Sequence, residues 1–169
     1  MINAALQQIY NQSKDVYVKS QALKGMGYYV RMYRYIADSS FTSTSPILKS
    51  AAVEALTMIC ATENFDASFG ASARTATQAI ANYLLQALQS QDAGMIALAA
   101  GALRTPARNF KVVLADSLPI LEAVLQKIPL PNEIETYNEL LHTIAYFKGI
   151  EFTPQKNNLQ SPHQLAGTS

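Results

Sequence analysis

Charge is scarce in this chain. Asp, Glu, Lys and Arg supply 15% of its 169 residues, against about 25% in an ordinary globular protein. A surface this lightly charged leaves apolar area to be covered, by helix on helix or by another molecule. The formal net charge of +1 gives no whole-molecule field for nucleic acid or for an anionic membrane. Tryptophan is absent, which removes the usual aromatic lining of a sugar cleft. One cysteine excludes an internal disulfide. Cys60 lies in the apolar run ALTMICA and reads as a small core residue. No run approaches eighteen apolar residues, so no membrane-spanning helix is expected. The opening MINAALQQIY has no basic start followed by an apolar core, so no signal peptide is expected and a cytoplasmic location is.

Chemical constellations are missing too. There is no G-x-S-x-G. The glycines, in GMG, FGA, AGM and AGA, match no strand–glycine loop–helix phosphate cradle. Cys60, His142 and His163 stand too far apart for metal-ligand spacing. Glu139 and His142 form one E-x-x-H pair, whereas a carboxylate-bridged two-metal site needs two; a hydrogen bond on the helix surface is the expected role. Glu133, Glu135 and Glu139 sit in the first turns of a helix, where acidic side chains complement the dipole. No cofactor, metal or catalytic residue is expected, and an enzyme without a readable motif is the third reading.

Hydrophobic residues make up 49% of the chain, enough for one domain that buries roughly 70% of its unfolded surface. Their spacing is helical nearly throughout. The pattern predicts helices over 2–12, 14–38, 46–62 and 73–90, an alanine-rich helix in MIALAAGALR, and further helices to about 115, 128 and 148. The signals that start them are Ser45-Pro46, Ser72, Asp92, Thr105-Pro106, Ser117 with Pro119, and Asn132 with Glu135 as a capping box. Gly149 ends the last one. SSFTSTS (39–45) and ENFDASFGAS (63–72) read as breaker and loop. Gly25 and Gly27 either split the second helix or admit a neighbouring backbone. The expected fold is all-α with seven to eight helices, a domain over 1–152 followed by a flexible polar tail over 153–169.

An internal echo runs through these helices. VKSQALKGMGYYV (18–30) and LKSAAVEALTMIC (48–60) share Lys-Ser and then apolar residues at matching places, and GMIALAAGALRT (94–105) repeats the second half. This spacing resembles the HEAT and armadillo class of helical-hairpin repeats. The resemblance implies an α–α superhelix of antiparallel helix pairs that binds an extended partner, rather than a closed bundle.

The remaining charges are segregated. Residues 1–37 hold Lys14, Lys19, Lys24, Arg31 and Arg34 against Asp15. Residues 116–151 hold Asp116, Glu122, Glu133, Glu135, Glu139 and Glu151 against Lys127 and Lys148. Ordinary solvated faces or head-to-tail association would both produce this. Within the basic end, YYVRMYRY (28–35) interleaves rings with guanidinium groups. On one continuous helix Tyr28 and Tyr35 fall within about 20° of each other, with Tyr17 beside them. Tyr29 and Tyr33 flank the core. Tyr28, Arg31, Tyr35 and Lys24 are therefore the expected partner-binding residues. The expected role is a non-catalytic protein-binding or assembly module that meets a protein partner or a second copy. A nucleic-acid-binding helical repeat is the alternative, with Arg104, Arg108 and Lys111 as its second basic cluster.

Overall fold

The computed structural model describes residues 2–40 and 43–156. Phe41 and Thr42 of the SSFTSTS breaker, residues 157–169 of the expected tail, and with them His163, lie outside the described residues. The fold is all-α, with no strand among the described residues. Its helices are α1 (Ile2–Gln12), α2 (Val16–Met26), α3 (Tyr33–Ser40), α4 (Pro46–Ala61), α5 (Phe65–Phe69), α6 (Ala73–Ala87), α7 (Ala93–Ala102), α8 (Phe110–Leu114), α9 (Leu118–Gln126) and α10 (Ile134–Lys148). Three short 3₁₀ turns accompany them at Val30–Met32, Gly70–Ser72 and Ala115–Ser117.

Local chemistry starts several of these helices where the sequence places them. The Asp92 carboxylate accepts from the amides of Gly94 and Met95. Ser45 accepts from Leu48 ahead of Pro46. Each satisfies orphan donors of a first turn, worth about 1 kcal/mol per cap. Asp15 does the same for α2, accepting from Tyr17 and Val18.

The helices pack in two layers. In the first, α1, α2, α4, α7 and α10 lie side by side in chain order. Behind them α3 packs on α4 and α6, α6 on α7 and α8, and α9 on α10. Central α4 is enclosed by α2 and α7 at its sides and by α3 and α6 behind. It is therefore apolar on three sides: Leu48, Ala52, Leu56, Ile59 and Cys60 are all buried. A side chain such as Leu56, with no exposed surface, gains roughly 1.5–3 kcal/mol from leaving water. Helix α7 is nearly all alanine, glycine and aliphatic, because α4, α6 and α10 all pack against it.

The second expected helix, 14–38, is not continuous. It stops at Met26, turns through Gly27 and Tyr28, and resumes at Tyr33 after the 3₁₀ turn. Gly27 sits against the backbone of Ala55 on α4. Both readings of the glycines thus hold at one place: the neighbour approaches there, and the helix ends there.

Three other boundaries differ. The 63–72 loop contains α5, which buries Phe65 and sets Phe69 edge-on to Tyr33 at 5.5 Å. Thr105 caps no helix, because its amide and that of Arg104 still bond back to Ala102 and Gly101 of α7. The next helix begins only at Phe110. Asn132 and Glu135 form no capping box. Tyr137 bonds to the Glu133 carbonyl, so the first turn of α10 starts one residue later than the box requires.

Candidate interaction face

Tyr17, Gln21, Lys24 and Tyr28 recur along α2 and its terminal turn at the spacing of one helix face. The amide of Tyr28 still bonds to the Gly25 carbonyl at 3.3 Å, which carries the helical path as far as that ring. Opposite them, Ala22, Leu23 and Met26 are buried. Tyr17 is 66% exposed and Tyr28 72%. Lys24 lies between them and pairs with Glu54 of α4 at 3.3 Å, both side chains half-exposed. Such a pair contributes no more than about 1 kcal/mol, so it orients the ridge more than it stabilises the fold.

The other two expected contact residues lie elsewhere. Breaking the helix at Gly27 separates Tyr35 from Tyr28, so the shared face expected of them does not exist. Tyr35 is half-buried on α3. Its ring stands edge-on to Tyr10 with centroids 6.2 Å apart, and its hydroxyl donates to Asn11 Oδ1 at 3.1 Å. Arg31 donates to the carbonyl of Ser68 and lies over the Phe69 ring, 5.5 Å from its centre; it fastens the end of α5 to the 3₁₀ turn. Tyr33 is buried and Tyr29 half-buried against the core. Arg34 donates to the Tyr33 hydroxyl at 3.0 Å, a bond that holds the guanidinium pKa above its ordinary value. On α6, Tyr83 donates to Asp38 at 2.6 Å, which raises the phenol's pKa.

The ridge of α2 is one of four on the outer side of the first layer. On α4 that side carries Ile47, Ser50, Glu54 and Met58, with Ile47 and Met58 exposed. On α10 it carries Glu135, Asn138, Glu139, His142 and Tyr146. Between them α7 offers only Gly94, Ala97 and Gly101 at the same angular positions. Small residues flanked by longer side chains leave a trough. Its open end is a cleft of about 640 Å³ between the first turns of α7 and α10.

The floor of the trough is fixed by Arg104. This guanidinium donates to the Glu139 carbonyl and to Thr143 Oγ1, both at 3.0 Å, and to Glu139 Oε2 at 2.8 Å. The buried Thr143 hydroxyl lies 2.6 Å from the Ala100 carbonyl and donates to it. About two turns back, Thr136 donates to the carbonyl of Ala93 at 2.9 Å. Two hydroxyls thus tie α10 to the backbone of α7 along its length.

The E-x-x-H pair does not act as a pair. Glu139 goes to Arg104, and the His142 ring stacks on Phe152, 4.2 Å between centres and 10° from parallel. The chain reaches that position by reversing at Gly149, whose φ of 71° is left-handed. The amide of Ile150 bonds to the Ala145 carbonyl at 3.1 Å and that of Gly149 to Tyr146 at 3.3 Å, the paired bonds of a Schellman turn. Further back along α10, the Asn138 side chain accepts from the Gln155 amide at 2.7 Å and donates to the Gln155 carbonyl at 3.2 Å. The first residues of the expected flexible tail are therefore seated on α10. The residue that seats them, Asn138, carried no signal in the sequence beyond its place on the outer side of the last helix.

Cys60 is fully buried on α4, and burial pushes its thiol up to about 12, which leaves it a neutral packing group. Among the described residues no helix is long and apolar enough to cross a membrane. No protein-family model, curated protein or solved structure matches the chain.

Proposed function

We propose that this chain is a non-catalytic protein-binding or assembly module, a helical-repeat scaffold. The outer side of α2, α4, α7 and α10 is its docking face, for a protein partner or a second copy. The observation that carries the reading is the row of exposed apolar side chains there. Tyr17, Tyr28, Ile47, Met58 and Tyr146 are each more than a third exposed, five of the twelve large hydrophobics so exposed among the described residues. Tyrosine and methionine suit such a face. One offers a rigid ring with a wet hydroxyl, the other an adaptable thioether.

The layered packing supports a repeat scaffold of the HEAT and armadillo kind, in which successive helix pairs stack and present one side to a partner. The nucleic-acid reading draws less support. On this face Lys24 is matched by Glu54 and Arg104 by Glu139, and away from it Arg108 is matched by Asp66 at 3.1 Å. Phosphate binding needs several uncompensated cations.

The test is the double variant Tyr28→Ala with Met58→Ala, compared with the natural chain by sedimentation and by affinity capture from its own cells. The expected result is loss of self-association or of the captured partner at an unchanged melting temperature. Undiminished association, or a collapse in melting temperature, contradicts the reading.

A further inference from the structure

The geometry points to a peptide site on α10, filled in this structure by the chain's own residues 151–156. The inference rests on the protein-binding reading and names the partner chemistry at one end of its face. Two attachments hold the strap, and they read different things. The His142 ring reads an aromatic side chain by stacking on Phe152. The Asn138 amide reads main chain only, because it takes both the N–H and the C=O of Gln155. Any residue with a free amide can occupy that second place. Between them, Thr153-Pro154 is biased to extended backbone: proline fixes its own φ and disfavours helix in the residue before it.

The strap is built to leave. Thr153, Pro154, Gln155 and Lys156 are exposed, and among the described residues no core residue follows Phe147. A short tether supplies an effective concentration of about a millimolar, so weak contacts suffice to keep the site filled in cis.

Past Asn138 the outer row of α10 leads into the cleft shared with α7. Its lining includes Glu133 and Glu135, together with Glu139, which Arg104 already pairs. The residue that follows the clamped Gln155 is Lys156. The occupant in trans is thus an extended segment with an aromatic residue, a main-chain amide clamped three residues later, and a basic residue next. The strap carries the same pattern and must be displaced for that segment to bind.

The probe is a fluorescein-labelled peptide of residues 151–156, EFTPQK, titrated by polarisation against full-length chains. In Phe152→Ala the strap keeps only its Asn138 clamp, and the peptide should bind at least tenfold more tightly than to the natural chain. Asn138→Leu in that background should abolish binding, and so should replacing the peptide's phenylalanine with alanine. Changing its lysine to glutamate should weaken binding severalfold. Where Phe152→Ala fails to fold, Gln155→Pro removes the strap's donor to Asn138 and serves in its place. Absence of peptide binding to a folded, strap-released chain overturns the inference, as does binding indifferent to Asn138. Either failure leaves the Tyr28 and Met58 assay standing, because those residues lie on other helices. Failure of that assay likewise leaves the peptide titration to be read on its own.

Discussion

Gly27 lies against the backbone of Ala55: a β-carbon on residue 27 would stand 2.9 Å from the Ala55 Cα and 3.0 Å from its carbonyl oxygen. That approach lets α2 pack closely on α4, and the end of α2 at the same place sends Tyr28 and Tyr35 to different parts of the surface. Gly27→Ala sets two effects against each other. Alanine gains up to about 1 kcal/mol of helix propensity, while overpacking costs roughly 1–3 kcal/mol. The residue's φ of −62° offers no relief of strain on substitution, and the obstructing atoms are backbone, so overpacking wins. Urea denaturation should show a net loss of about 1–2 kcal/mol. Equal or greater stability would mean that α2 and α4 separate easily.

Arg104 and Thr143 form one network, and their substitutions should not add. Thr143→Val keeps the shape but removes the donor to Ala100 and one acceptor of Arg104, costing about 1–2 kcal/mol. Arg104→Met loses three bonds, one to an exposed carboxylate and two inside the α7–α10 seam, and should cost about 1–3 kcal/mol. A double-mutant cycle by chemical denaturation should return a coupling of at least about 0.5 kcal/mol. Strict additivity would show that the hydroxyl and the guanidinium act separately.

The Cys60 thiol should be silent toward a thiol reagent at pH 8 in the folded chain and react only as the chain unfolds. Its folded pKa is raised to about 12 from about 8.5 in the unfolded chain. The neutral thiol therefore contributes stability in full below the unfolded value, and that contribution is lost as pH climbs toward 12. Burial of Tyr10 and the Asp38 bond to Tyr83 raise those phenols in the same direction. Stability should fall from about pH 9 upward, and the fall should be shallower in Cys60→Ala. Rapid labelling of the folded chain at pH 8 would contradict the enclosure of α4.

Tyr28 and Tyr33 should separate stability from recognition. Tyr28→Ala removes an exposed ring and should change stability by less than about 0.5 kcal/mol. Tyr33→Ala empties a buried position against Phe69 and Arg34 and should cost about 3–5 kcal/mol. Thermal melts of the two variants decide it. Similar losses in both would place Tyr28 in the core.

What the sequence made legible was local. Asp92, Ser45-Pro46 and Gly149 act through neighbours a few residues away, so their helix ends could be read directly. The core face of α4 was legible for a similar reason from Leu48 to Cys60, although Ile47, which the same period places inward, is exposed. The break after Met26 was legible only as one of two readings of Gly25 and Gly27, because the Ala55 backbone that Gly27 meets is 28 positions along the chain. Projecting YYVRMYRY on one helix therefore put Tyr35 beside Tyr28. Short α5 hid inside a loop-like composition because Phe69, against which Phe65 packs, is anchored by Tyr33 and Arg31 from another segment. Glu139 and His142 were legible as a spacing, but Arg104 and Phe152 decide what each side chain does.

The docking face itself is tested most directly by photocrosslinking in the protein's own cells. Benzoylphenylalanine replaces Tyr28 on the outer side of the first layer, or Gln78, exposed on α6 in the second. The account predicts a discrete adduct, to a partner or a second copy, from position 28 and none from position 78. Adducts from position 78 alone, or equally from both, would contradict it.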